Sequence, residues 1–267
     1  MIILDKKNPA LSVLIAVLKA FGFFAIWFAM QTAVSMIFTI IYTLTHQGLS
    51  EEAIIEAVTS LAMEMTLLAN ALTLICFILI YKLRGRSLFE KIESNKIAPR
   101  NYIQSLLLGV SAMFTVSLII ASIPFPEDWL KALNDNNEII LNASGFIMFL
   151  TTVVCAPILE EILFRGLMLR TLKDVMPPWL AILISAVAFG LAHANPIGII
   201  YASIFGAVLG WAYIKFNSII PCIIIHAAYN GTNLLVTDGV PFFVVYASVI
   251  LLVMVIIDIQ KTTRGEE

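Results

Sequence analysis

Apolar runs long enough to cross a bilayer follow one another almost end to end in this chain, and nothing else in it constrains the fold as much. A transmembrane helix needs about 20 mostly apolar residues to cross roughly 30 Å of hydrocarbon. Eight such runs are read, at about 20–44, 61–81, 103–123, 145–168, 178–194, 197–214, 218–236 and 241–258. In lipid every backbone polar group must find its partner inside its own segment, so the fold class expected is all-α, a polytopic transmembrane bundle of about eight helices. Composition agrees: 60% of residues are hydrophobic, 13% are charged and the mean hydropathy is +0.96, values foreign to soluble domains. The stretch Pro9 to Lys19 is read as lying along the interface. The first apolar run follows Lys6 and Lys7 and has no short core ending in a small-residue cleavage site, so it reads as an anchor and not as a removed signal peptide. With no internal repeat and no long loop, residues 1–267 are expected to form a single membrane domain.

A net charge of -2, with basic residues scattered through short loops, gives no electrostatic footprint for nucleic acid. The same loops set the orientation, because cytoplasmic loops are enriched in Lys and Arg. Lys82, Arg84, Arg86, Lys91, Lys96 and Arg100 mark one connection as cytoplasmic. Arg165, Arg170 and Lys173, then Lys215, then Lys261 and Arg264 fall on that side too. The loops at Gly48 to Glu56 and Pro126 to Glu138 carry mostly acidic residues, with Lys131 alone against them, and belong outside. A cell-membrane protein with both termini cytoplasmic satisfies every loop. Cys76, Cys155 and Cys222 lie inside apolar runs and read as small buried hydrophobes.

Ionisable groups inside transmembrane segments are expensive, and each is a candidate for function with a partner to be named. Five stand out: Glu160, Glu161 and Arg165 in the fourth run, His193 at the end of the fifth and His226 in the seventh. The turn between the fourth and fifth runs must lie near Met176 to Pro178, since consecutive prolines cannot continue a helix. Glu160 and His193 are about equally far from that turn, so two antiparallel arms rising roughly 1.5 Å per residue bring them level. His226 and Asn230 are four apart and share a helical face. Glu161 and Arg165 have the same spacing, in the favourable order for an ion pair, and a purely structural role as glue between helices has equal standing for them. Pro157 is expected to kink the fourth helix just before the glutamates. Glu64 and Asn70 read as interhelical hydrogen-bonding or lining groups, and His46 as a solvated loop residue.

Glu160-Glu161-Ile-Leu-Phe-Arg165, Phe189-Gly-Leu-Ala-His193 and His226-Ala-Ala-Tyr-Asn230 resemble, in order, the EExxxR, FxxxH and HxxxN motifs of the CAAX protease and bacteriocin-processing (CPBP, or Abi) family of intramembrane endopeptidases. The likeness covers about 145–236, which becomes the expected catalytic core, and departs from the patterns at no motif position. It implies a glutamic-type peptidase in which Glu160 and His193 activate a water, His226 and Asn230 stabilise the oxyanion, and Glu161 and Arg165 support the site. The expected partners are membrane lipid and a peptide or protein tail near the cytoplasmic face, with a membrane-protein partner as a further candidate. Bacterial relatives act mostly on unprenylated peptides, and acidic outer loops in a short chain fit that group. A non-catalytic reading stays open beside this one, a bacteriocin self-immunity or membrane-regulatory protein on the same fold. No cofactor is expected. Zinc also stays open, because two histidines and a glutamate match the donor set of a catalytic zinc site, although no HExxH pair is present and the His226 to Asn230 spacing spends one turn on a carboxamide, a poor zinc ligand.

Overall fold

A computed structural model describes residues 8–236 and 240–264, so Lys6 and Lys7, which flank the expected anchor, lie outside the described residues. All eight apolar runs are helices, and no strand occurs among the described residues. In chain order the helices are α1 (Pro9–Thr45), α2 (Glu51–Ser60), α3 (Ala62–Leu83), α4 (Leu88–Lys91), α5 (Pro99–Ala121) and α6 (Glu127–Asn142). They continue with α7 (Gly145–Leu172), α8 (Pro178–Leu191), α9 (Pro196–Phe216), α10 (Ile219–Leu235) and α11 (Phe242–Arg264).

Three features differ from the sequence reading. The segment from Pro9 to Lys19 is not a separate interfacial stretch: Asn8 caps it by accepting from the Leu11 amide, and it runs unbroken into the first span. The two acidic connections are helical. Ser50 caps α2, and α6 is amphipathic, with Trp129, Leu133 and Ile140 on one stripe and its acidic residues elsewhere. Among the described residues six helices are long and apolar enough to cross a membrane, whereas α8 and α10 are shorter apolar helices of 14 and 17 residues. At about 1.5 Å per residue α8 rises roughly 20 Å, less than the hydrocarbon thickness. The helices that carry or deliver the two membrane histidines are thus the two short ones.

The core forms where α7, α8, α9 and α10 meet α1, α3 and α5, around Leu163, Phe164, Leu167, Phe189, Leu209 and Ile225. Close backbone approach is secured by glycine at two places. A Cβ on Gly109 of α5 would run into the Ile225 carbonyl oxygen of α10 and sit 2.7 Å from Ala228 Cβ. A Cβ on Gly190 would collide with Ser203 Oγ and lie 2.6 Å from the Ile199 carbonyl oxygen, so α8 and α9 pack as a tight hairpin only because that atom is missing. Asn70 and Gln31 bond across α3 and α1 at 2.7 Å, the interhelical role read for Asn70.

One end of the bundle is tied down by Glu93. Its carboxylate meets Arg170 Nε at 3.0 Å and Lys173 Nζ at 3.1 Å, and accepts from the Tyr213 hydroxyl at 2.6 Å. Its backbone carbonyl accepts from the Ile219 amide that opens α10. Burial acts to raise the Glu93 carboxyl, but the Tyr213 hydroxyl and the Lys173 and Arg170 charges together hold it below the usual carboxylate range. The basic connection between α3 and α5 is in this way docked onto the α7–α8 and α9–α10 turns.

Candidate functional site

Helix α7 is irregular where it matters. Two π-helical stretches, Leu150–Cys155 and Ile162–Leu169, bracket a short α-helical segment, Ala156–Glu161, that ends on the glutamate pair. Such widened turns leave carbonyls without their usual donors and concentrate at functional sites. Pro157 adds to this. The Ala156 amide is spent on the Thr151 carbonyl, and the next residue has no N–H to offer Thr152. Asn230 of α10 supplies the missing donor, its Nδ2 lying 2.9 Å from the Thr152 oxygen. In the second widened stretch the Phe164 carbonyl accepts from Ser185 of α8 at 2.8 Å. Pro157 therefore acts less as a simple kink than as the point where α7 is handed to its neighbours.

From this backbone Glu161 points into the protein, with no exposed side-chain surface. One of its oxygens, Oε1, accepts from Arg165 Nη1 at 2.9 Å and from His226 Nδ1 at 2.8 Å. Arg165, equally buried, donates its Nη2 to the Gly206 carbonyl at 3.1 Å and lies 4.6 Å from the centroid of the Phe189 ring. The pair bridges α7 to α9 and holds an imidazole on α10. With Nδ1 committed to Glu161, His226 turns Nε2 towards Glu160, 3.7 Å from its Oε2. That separation is too long for a direct hydrogen bond.

His193 lies one residue past the end of α8's cap, in the turn to α9, rather than within the helix as the fifth run implied. Ala194 adopts a left-handed φ of 58°, and Asn195 caps α9 by accepting from the Gly198 amide at 2.6 Å. His193 Nδ1 donates to the Phe189 carbonyl at 3.0 Å, a bond that leaves Nε2 as the acceptor nitrogen of the neutral ring. Phe189 is the hub of this region, edge-on to His193 and His226 and beneath Arg165.

Glu160, His193, His226 and Asn230 line one cavity of about 630 Å³, so the four expected site residues share a single space. Sequence reasoning missed two of its walls. Tyr201 of α9 stands edge-on to His193 at 5.9 Å between ring centroids, and Tyr229 stacks on Phe205 at 4.1 Å. Tyr201 carries no spacing signal, because it owes its place to the α8–α9 hairpin, whereas Tyr229 stands three residues after His226 on α10, a spacing that could have found it. The role of α6, which contributes Leu133, Asn136, Asn137 and Ile140, was equally hidden in a segment read as a loop. Among the described residues no three His, Cys, Asp or Glu side chains are placed together to hold a metal ion. The Glu161 oxygen nearest His226 is already shared between two donors.

Residues 142–232 match the Rce1-like family of type II CAAX prenyl endopeptidases. The matched stretch contains all three motifs, and it bears out the family resemblance. It supports a CAAX-type intramembrane endopeptidase in a multi-pass membrane protein. No curated protein and no solved structure gave a match to the chain.

Proposed function

We propose that this protein is an intramembrane endopeptidase of the glutamic type, with residues 145–236 as its catalytic core and the remaining helices as scaffold. The observation that carries the reading is the buried relay from Arg165 through Glu161 to His226, which ends on an imidazole aimed at Glu160 in a cavity shared with His193. Such a chain of charge-assisted bonds holds catalytic groups within the tight tolerances that acid–base chemistry needs.

In the proposed reaction a water held between Glu160 and His193 attacks the carbonyl carbon of the scissile peptide bond. Its proton passes to the Glu160 carboxylate as the new C–O bond forms. The tetrahedral oxyanion is stabilised by His226 Nε2–H and by the second N–H of Asn230, the first being given to Thr152. For His226 to donate from Nε2 while Nδ1 donates to Glu161, its ring must be the imidazolium, with Glu161 as counter-ion. Collapse breaks the C–N bond, and a proton delivered through the Glu160 and His193 pair leaves with the amine. Glu161 and Arg165 are positioning residues, because neither reaches the cavity's reacting atoms.

The test compares small secreted peptides from cells making the protein with those from cells making Glu160→Gln at the same membrane level. At least one peptide is expected to pass from processed to unprocessed, with cleavage down roughly 10²- to 10⁴-fold. Identical peptide patterns would point to the non-catalytic role on this fold.

A further inference from the structure

A second cavity, of about 420 Å³, lies where the last turn of α7 meets α1, α3 and α4, and it shares no lining residue with the cavity of Glu160. Its walls change character along their length. Phe23 and Ile26 of α1 and Ile80 and Tyr81 of α3 form an apolar half. The Phe23 ring lies edge-on to Phe77 at 5.7 Å and stacks against Tyr81 at 6.4 Å between centroids, which closes the seam between the two helices. Gly22 leaves the groove open, since a Cβ built on it would meet no atom within 4 Å. Lys19, one turn before Phe23, and Arg84, Arg86 and Lys91, beyond the end of α3, make the other half cationic. Glu90 is the one carboxylate among the lining residues.

The turn that ends α3 gathers these charges. Gly85 takes a left-handed φ of 65°, the Arg86 amide donates to the Tyr81 carbonyl at 3.1 Å, and the Gly85 amide donates to Lys82 at 3.0 Å. This pair of bonds is the glycine-terminated close of a helix, and it folds the chain so that Arg84 and Arg86 border one space. Nearby cations are answered: Glu93 meets Arg170 and Lys173, and Asp258 meets Arg100. Among the described residues Lys19, Arg84 and Arg86 have no ion-pair partner, and Lys91 reaches Asp174 only at 4.0 Å. Burial lowers the Lys91 ammonium from its ordinary value, and Arg170 and Lys173 lower it further against the pull of Asp174 and Glu93. An anion seated in the cavity offsets that repulsion.

A free phosphate would use only half of this space, because Phe23, Ile26 and Ile80 offer it nothing, whereas an amphiphile with an anionic head uses both halves. The depth agrees. Helix α1 has 37 residues and at about 1.5 Å each runs roughly 55 Å, well beyond the roughly 30 Å of hydrocarbon. Lys19 stands about 15 Å from its first residue, so the cations lie at headgroup level and Ile26 and Ile80 lie towards the acyl chains. We propose that the cavity binds an anionic glycerophospholipid, its phosphate held by Lys19, Arg84, Arg86 and Lys91 and one acyl chain laid in the groove between α1 and α3. Basic pockets between membrane helices take such heads. Thr171 puts the last turn of α7 in the same wall, so the lipid joins the scaffold helices to the helix that carries Glu160.

Lipid retention by the purified full chain tests this. Protein in a neutral detergent is mixed with phosphatidylglycerol or phosphatidylcholine at equal mole fraction, and the lipid each chain keeps is counted by native mass spectrometry. Retention of one phosphatidylglycerol is expected to exceed that of phosphatidylcholine roughly tenfold. Arg84→Gln combined with Arg86→Gln should lower it by roughly the same factor. Gly22→Leu, which fills the groove at a position with room for a side chain, should lower it as well. Lys82→Gln removes an exposed charge from the same end of α3 without touching the cavity, and should leave retention unchanged. Equal retention of the two lipids overturns the proposal, as does a loss in Lys82→Gln as large as that in the arginine pair. Retention unchanged in a folded Gly22→Leu, or displacement of the lipid by glycerol phosphate at equal concentration, would mark a site for a free anion and overturn it too. Unfolding midpoints without added lipid are measured for each variant. Should Gly22→Leu not fold, the exposed arginine pair and the glycerol phosphate competition decide.

Discussion

Replacing Arg165 with Met tests the buried relay at its root. The side chain is fully buried, and the substitution keeps most of its hydrocarbon bulk while removing the charge, the bond to Glu161 at 2.9 Å and the bond to Gly206 at 3.1 Å. Removing one partner of a buried ion pair strands the other, a cost of about 3–5 kcal/mol. Here His226 still donates to Glu161, which places the expected loss at the lower end, about 3 kcal/mol. At roughly 2–4 °C per kcal/mol for a chain of this size, the midpoint of unfolding in detergent should fall by roughly 6–12 °C. Glu161→Gln should cost a similar amount by stranding the guanidinium. The double variant removes both charges together and should recover about 2 kcal/mol or more relative to the sum of the singles. Reversible unfolding of the four proteins in mixed micelles gives this coupling energy directly. Peptide cleavage should stay low in the double variant although stability returns, because His226 then faces a neutral amide in place of the carboxylate that orients it. Additivity of the two single effects to within about 0.5 kcal/mol would refute the account, since it would mean that the two side chains do not act on each other.

Gly109→Ala should reduce both stability and cleavage, by about 1–3 kcal/mol for the former, because the added methyl drives α5 from the turn of α10 that carries His226; thermal unfolding beside a peptide assay reads both. Glu93 should make the protein acid-sensitive. Its carboxyl is held below the ordinary value of 4.5, so its contribution is fully present above that pH and fades as pH falls through the lower folded-state value. Unfolding followed from pH 7 downwards should show this loss, and Glu93→Gln should flatten it. Exhaustive chelation of purified protein should leave peptide cleavage unchanged, with elemental analysis finding no stoichiometric zinc; activity lost on chelation and restored by zinc would make Glu160, His193 and His226 ligands.

Much of the bundle was legible because lipid imposes a single rule, the length of an apolar run, and that rule found all eight helices. It misjudged α8 and α10 because hydropathy continues through His193 and Val236, where the backbone has already left the helix. The grouping of Glu160, His193, His226 and Asn230 was readable from hairpin arithmetic and the i, i+4 rule, since both depend only on helical rise and phase. Asn230 shows where such counting stops. That its amide already serves the Thr152 carbonyl depends on a widened turn and a proline in another helix, which no spacing in its own segment records. The covering role of α6 was lost for a related reason: acidic residues and asparagines between two spans look like a solvated loop until the stripe of Trp129, Leu133 and Ile140 is given something to lie against.

The widened stretches of α7 have a consequence for how this protein can be altered. A five-residue closure holds one residue more than an ordinary turn, so each stretch behaves as an insertion absorbed without a break in the helix. In a regular helix an extra residue would turn everything beyond it by about 100°, and the widened turn takes up that rotation. Ala156–Glu161 lies between two such stretches, so the glutamates keep the face that they would have in a regular helix one residue shorter on either side. Deleting a single residue from Leu150–Cys155 should let that stretch relax to regular helix with Glu160 and Glu161 still on their present face, whereas a further insertion must either widen the stretch again or swing them round by more than a quarter of a turn. One-residue deletions and insertions there thus separate the widening of the backbone from the placement of the two glutamates, which substitutions at the glutamates themselves cannot do.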